Sequence, residues 1–456
     1  MSDPRAYDQC KIGVVTSRYE SKIQAAAKQY AGGATNPGDR HSPGGSFGDL
    51  GPGALAVEEW SAAGLALPDV AAMRVNRLAR FRQVLGQQGY GAAVLTDPIN
   101  IRYATDSTNM SVWTLHNPSR YAFVALDGPV VLFDFHGGAH LSSHLPLIDE
   151  VRHAQEWYFF QTGEHTPRAA QHWAVEIADL VAAHGGSGRP VAIDKIEPHG
   201  LRALEGLGIE VGDGQVVAET ARMLKGPEEI RAMRCVCAAT AASVAIMRRA
   251  LTPGVTEQAL WAHLHAENIK RGGEWIETRL LSSGPRTNPW FNECSSRPIQ
   301  RGDLVAFDTD LIGPYGYCCD ISRTWVCDAE PTAAQKACYR LAAEQIAFNA
   351  ALLRPGLTFA EFADQAFDLP ARFRPNRYSV MLHGVGLCDE YPAIPYPEDA
   401  QFAYDGVFEA SMVVCLESYV GLPGGPDGVK LEEQFLITDT GAEKMFDYPL
   451  EPTFLS

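Results

Sequence analysis

At 456 residues, with 46% hydrophobic and 20% charged residues, the chain has the composition of a soluble globular protein too long for one ordinary core, so two domains are expected. Its net charge of −17 argues against nucleic acid and anionic membrane as partners and suits a cationic or zwitterionic small molecule. Ten cysteines without a paired C-x-x-C set argue against a zinc ribbon and fit free thiols in a reducing compartment.

Residues 1–60 read as an N-terminal arm, with one helical patch near 21–30 and a Gly/Pro/Ser-rich stretch over 31–53. The first residues lack the basic-then-apolar build of a signal peptide, and no apolar run approaches the roughly 20 residues of a membrane span, so a cytoplasmic location is expected. Pro68-Asp69 opens a helix whose apolar face is Met73, Leu78, Phe81, Val84 and Leu85. A strand follows at 92–95, then a turn at Asp97 to Asn100. Strands 121–126 and 130–133 flank Asp127-Gly128, a hairpin signal. A helix at 169–183, a strand at 191–193 and a short helix at 201–207 complete an alternation that predicts an α/β domain over 61–220.

From 221 to 456 the pattern changes. Helices are predicted at 228–251 and 256–271, strands at 276–282 and 303–309, helices at 331–353 and 359–366, and strands at 412–419 and 429–438, an α+β arrangement. Three carboxylates fall at one hairpin in this half. Asp308 and Asp310 are two apart, which on a strand puts them on one face, and Gly313, Pro314 and Gly316 turn the chain so that Asp320 returns beside them. Three acids brought together near an apolar strand repel one another unless a cation holds them; the alternative is a hairpin mouth of solvated turn acids. His383, in the Gly-rich stretch Leu382-His383-Gly384-Val385-Gly386-Leu387, Glu417, which ends the apolar run Met412 to Leu416, and Glu432, in the returning strand Lys430 to Gln434, extend the set. Carboxylates with one imidazole suit Mn, Fe, Co or Zn, and a mostly acidic set of this size favours two divalent transition-metal ions.

In this order, the two aspartates, His-Gly-x-Gly, and the two glutamates of a final hairpin resemble the creatinase/aminopeptidase P (pita-bread, M24) superfamily. The segment from Arg222 to Ile230, Gly302 to Val305 and Ser322-Arg323-Thr324 add to the likeness. The resemblance implies a smaller N-terminal creatinase-like α/β domain, a C-terminal pita-bread domain, a dinuclear metal centre and a homodimer. It implies Asp310, Asp320, His383, Glu417 and Glu432 as ligands, with Asp308 an additional one.

The chain departs from the superfamily's peptidases at three places. Their two aspartates are eleven apart, whereas Asp308 and Asp310 lie on either side of that spacing from Asp320. No histidine follows Ser283-Gly284, where they place one, and position 390, where they carry a second histidine, is Glu390. These departures, with the run from Asp308 to Gly316, the run from Leu382 to Pro392 and the early Glu59-Trp60 to Asp69, closely resemble dimethylsulfoniopropionate (DMSP) lyases of the DddP type. That resemblance implies cleavage of DMSP to dimethyl sulfide and acrylate, with Asp389 as base and Tyr378 in the active site. The substrate's sulfonium calls for aromatic faces, for which Trp157, Tyr158, Phe159, Phe160, Trp290, Phe291, Tyr378 and Tyr419 are candidates, core packing being the ordinary use of such rings. The alternatives are an Xaa-Pro metallopeptidase, against which the missing histidines argue, and a non-catalytic binding protein, against which the intact ligand positions argue.

Overall fold

The structure, a computed structural model, describes residues 51–186 and 188–456. Residues 1–50 of the expected arm, with its helical patch, lie outside the described residues. The described chain divides into two compact units, residues 74–221 and residues 51–73 with 222–456. The sequence pattern put a boundary at 60/61, but 51–73 groups with the second unit. The ring of Trp60 is fully buried and stacks on Tyr315 at 6.1 Å, and Glu59 pairs with buried Arg271 at 2.7 Å. Together they tie this segment to the second unit.

The first unit is built on six strands: β1 (Ala92–Leu95), β2 (Tyr121–Ala125), β3 (Val130–Asp134), β4 (Glu150–His153), β5 (Val191–Ile193) and β6 (Val211–Asp213). They form one mixed sheet in the order β4-β3-β2-β1-β5-β6. β2 and β3 are the predicted antiparallel hairpin, while β5 and β6 run parallel to β1. Ala170, Trp173, Ala174 and Ile177 recur at helical spacing on helix Thr166–His184, and that face buries against Val94, Phe123 and Val131 of the sheet. The expected turn after β1 is instead a helix, Pro98–Thr105. Asp97 accepts from Ile99 N at 2.8 Å, so Asp-Pro here is an N-cap with proline in the first turn.

The second unit carries β7 (Trp275–Ile276), β8 (Leu281–Ser283), β9 (Leu304–Asp308), β10 (Leu311–Ile312), β11 (Cys318–Cys319), β12 (Ser322–Val326), β13 (Leu382–Val385), β14 (Asp389–Ile394), β15 (Val413–Gly421), β16 (Gly428–Thr438) and β17 (Gly441–Lys444). Its largest sheet is antiparallel, in the order β14-β13-β15-β16-β17. Strand alternation decides what each face does. Val414, Leu416 and Val420 on β15, with Val429, Leu431, Phe435 and Ile437 on β16, join Tyr339, Ala342 and Ile346 of helix Ala333–Leu352 in one core. The alternate residues face the other way and carry the chemistry.

Helix Pro227–Ala250 is, among the described residues, the one helix long and apolar enough to cross a bilayer by length and composition. Arg231, Arg234, Arg248 and Arg249 interrupt its apolar residues, so no continuous apolar run of that length stands in the sequence. Ala232, Met233, Val236, Ala239, Val244 and Met247 are buried in the second unit, as in a core helix.

The acidic hairpin differs from its sequence picture. β9 pairs with β12, placing Asp308 opposite Ser322, but the chain leaves that sheet after Asp308. β10 and β11 pair with each other in a separate three-stranded sheet that includes β7. Asp310 sits at the change of sheet with φ +36°, in the left-handed region. Asp308 and Asp310 therefore converge across a break in the strand, not along one strand face.

Candidate metal centre

Register alone gathers most of the site. His383 on β13 lies opposite Cys415 on β15; Glu417 is two residues further along β15, on the same face, and lies opposite Glu432 on β16. Lys430 and Gln434 flank Glu432 at spacing two and share that face. Against it lies the end of the β9–β12 hairpin with Asp308, Asp310 and Asp320. Side chains join β12 to β16: Thr324 Oγ1 donates to Lys430 O at 2.8 Å, and Arg323 to Glu432 O at 2.9 Å.

The result is three overlapping groups of buried donors: Asp320, His383, Cys415 and Glu432; Asp308, Glu417 and Glu432; and Asp308, Asp310 and Asp320. In each, the donor atoms lie within 4.8 Å of one another. All six residues expected from the sequence are among them.

His383 Nε2 is 3.4 Å from Glu432 Oε1, 3.5 Å from Glu417 Oε1 and 3.6 Å from Asp320 Oδ2. The two glutamate oxygens are buried and have no hydrogen-bond partner. A buried acceptor with nothing to accept from is costly. Four N and O donors about 2.0–2.2 Å from one ion stand about 3.4 Å apart when tetrahedral, which is close to the separation of His383 Nε2 from each of these oxygens, so a divalent cation beside His383 would give the two glutamate oxygens a partner.

The charges point the same way. Burial and then the charges of its neighbours, eased by Lys430, push Asp308 up to about 6; burial and the charges of Asp308 and Glu432 push Asp310 up to about 7. Burial and the same acids hold Asp320 well above the carboxylate range. The set carries more negative charge than the protein alone supports.

Several neighbours escaped the sequence reading. Thr278 Oγ1 donates to Asp310 Oδ2 at 2.9 Å, and Asp320 N donates to Gln434 Oε1 at 3.2 Å. The Cys415 thiol donates to Asp320 O at 3.4 Å, and burial holds it well above its ordinary value, a protonated thiol rather than a thiolate. Spacing two from Glu432 was the available signal for Lys430 and Gln434, and a hydroxyl opposite Asp308 the signal for Ser322.

Asp389 opens β14 with its side chain 51% exposed, and its Oδ1 is 3.6 Å from His383 Nδ1. Lost hydration and the charges of Asp310, Glu432 and Asp308, opposed by His383, push it up to about 7. At this half-open position the acids' charge is the more telling cause. Tyr378 lies in a loop with its ring 5.3 Å from that of Phe291. Burial and then Glu417 and Asp308 keep its hydroxyl protonated. Trp157 and Tyr158, expected as sulfonium contacts, lie in the first unit. Trp157 is committed to its core, 5.0 Å from Trp173 and packed on Gly200, where a Cβ would come within 2.5 Å of the indole. Tyr158 is buried and its ring stacks with Phe160 at 6.2 Å.

Glu390 is placed quite differently from Asp389. It is buried, receives Lys225 Nζ and Leu387 N at 2.9 Å each, and faces Arg222 Nε at 3.2 Å. Its oxygens also lie where a Cβ on Gly386 would sit, so it braces the β13–β14 turn. Glu390→Ala removes the buried carboxylate that pairs with Lys225 and Arg222, at an expected cost of about 3–5 kcal/mol in urea unfolding. A loss below about 1 kcal/mol would contradict the bracing role.

Comparison with known proteins places this geometry. Residues 231–439 match the model of metallopeptidase family M24. The chain is 47% identical over 414 residues to the dimethylsulfoniopropionate lyase DddP of Roseovarius nubinhibens, covering 89% of this chain and 93% of the relative. It is 44% identical over 414 residues to the DddP of Roseobacter denitrificans, with the same coverage. Among solved structures it resembles an Xaa-Pro dipeptidase from Bacillus anthracis, with a TM-score of 0.66 at 20% identity over 83% of this chain and 99% of that one, a likeness of fold. The identity and coverage are those of close relatives, and the chain belongs to the DddP family of dimethylsulfoniopropionate lyases, built on the pita-bread fold of metallopeptidase family M24.

Proposed function

We propose that the chain is a carbon–sulfur lyase that splits DMSP by β-elimination into dimethyl sulfide and acrylate, with Asp389 as base and two divalent transition-metal ions, drawn from Fe, Mn, Co and Zn, held by Asp308, Asp310, Asp320, His383, Glu417 and Glu432. The observation that carries this reading is the pairing of a half-open carboxylate, Asp389, with the buried donor set 3.6 Å away at His383. The long match to relatives named for that reaction supports it.

Asp389 removes a proton from the carbon next to the substrate's carboxylate. The C–H electrons become the C=C bond of acrylate, the C–S bond breaks, and sulfur leaves with its electron pair as neutral dimethyl sulfide. The C–H is a very weak acid, and metal ions bound in the donor set supply Lewis-acid stabilisation of the charge that builds on the carboxylate. Tyr378, kept protonated, offers a hydroxyl to that carboxylate and one ring face to the sulfonium.

The test is gas chromatography for dimethyl sulfide with metal content measured on the same sample. We expect dimethyl sulfide in step with acrylate, its loss after chelation, and recovery when one of the four metals is returned. Cleavage of an Xaa-Pro dipeptide without dimethyl sulfide would instead establish the peptidase reading.

A further inference from the structure

We propose that Lys430 is the fixed cation of the metal centre: it fills the donor group of Asp308, Glu417 and Glu432, leaves the other two groups to metal ions, and turns one oxygen of each glutamate toward them. The proposal rests on the metal-centre reading above and adds a residue to it.

Lys430 is 0% exposed. Its Nζ lies 2.5 Å from Glu417 Oε2 and 3.2 Å from both Asp308 Oδ2 and Glu432 Oε2. It also donates to Ser322 Oγ at 2.6 Å, and that hydroxyl lies 2.6 Å from Asp308 Oδ1 and 3.0 Å from Glu432 Oε2, with one proton to give. The rings of Tyr378, at 4.5 Å, and Trp290, at 5.9 Å, face the ammonium. An ammonium at hydrogen-bond distance from all three carboxylates occupies the place an ion would need in that group.

The orientation of each glutamate follows. Glu417 and Glu432 each give Oε2 to Lys430, and their Oε1 atoms are the unpartnered pair facing His383 Nε2. Lys430 thus divides each carboxylate between a protein partner and the ion, as outer partners of metal ligands do. The charges balance as well. Asp308, Asp310, Asp320, Glu417 and Glu432 bring five negative charges, and two divalent ions with one ammonium bring five positive, so the buried set is neutral when two ions are bound.

Lys430→Met keeps the length of the side chain and removes the charge. We expect the metal-free variant to show wild-type circular dichroism, to bind Co2+ about 10–100-fold more weakly by calorimetry, and to give an altered visible Co2+ spectrum because the glutamate oxygens are no longer held. Lys430→Gln, which keeps one hydrogen bond, is measured in the same way should the methionine variant fail to fold; it is expected to fall between the two. A folded variant with unchanged or tighter Co2+ binding and an unchanged spectrum would overturn the proposal. Wild-type protein that takes up no Co2+ would overturn the metal-centre reading itself, and this proposal with it.

Discussion

Glu432→Ala is expected to empty the centre. Glu432 belongs to two of the three donor groups, faces His383 with one oxygen and Lys430 with the other, and is fully buried. Its loss should weaken metal binding by more than the 10–100-fold that outer partners usually cost. Metal in the purified variant, by elemental analysis, should fall below about a tenth of wild type, and dimethyl sulfide production with it. The fold should survive. Lys430 keeps Glu417, Asp308 and Ser322, and Arg323 binds Glu432 through its backbone oxygen, which alanine retains. Without metal the variant should also lose stability at pH 7. Against burial and the charge of Glu417, Lys430 and His383 hold Glu432 below its ordinary carboxylate value, so its charge contributes stability at neutral pH that alanine removes. Relief of Asp308 and Asp310, which the charge of Glu432 helps to raise, offsets part of that loss. Thermal unfolding of the two metal-free proteins measures this. A variant that kept its metal would remove Glu432 from the centre.

The parts legible in the sequence were those with a local signal. β15 was legible as an apolar run that ends at Glu417 and β16 as the strand that returns through Val429 to Glu432, and their antiparallel register sends Glu417 and Glu432 to one face. The β2–β3 hairpin followed from Asp127-Gly128. β13 was not predicted, because glycines at 384 and 386 hide a strand whose pairing is supplied by its neighbours. Asp308 and Asp310 were expected to meet, but the cause lay in a change of sheet that periodicity does not record. Lys430 was passed over for a different reason, although its spacing of two from Glu432 put it on the same face. A lone lysine in a strand reads as a solvated edge, and only three-dimensional pairing shows three acids around it. Trp157 to Phe160 is the converse case, four aromatics in a row that suggested a cage while the structure packs Trp157 into a core. Local pattern fixes which face a residue takes, not what stands opposite.

Asp389→Asn separates base from scaffold. Asparagine matches aspartate in shape, so the half-open position at the start of β14 accommodates it, and the amide cannot take up a proton. The metal donors and the Glu390 brace are untouched, so metal content, circular dichroism and unfolding temperature should stay at wild-type values. Removing a positioned general base typically costs about 10²–10⁴-fold, and kcat for dimethyl sulfide formation should fall in that range. KM should change little, because binding through the metal ions and Tyr378 is left in place. The neighbouring acid cannot substitute. Glu390 is held by Lys225, Leu387 N and Arg222, away from solvent, and releasing it would unbrace the turn that carries Asp389. The two variants should therefore diverge: Asp389→Asn stable, metal-loaded and slow, Glu390→Ala unstable. An Asp389→Asn enzyme that retained wild-type kcat would take the proton transfer away from Asp389.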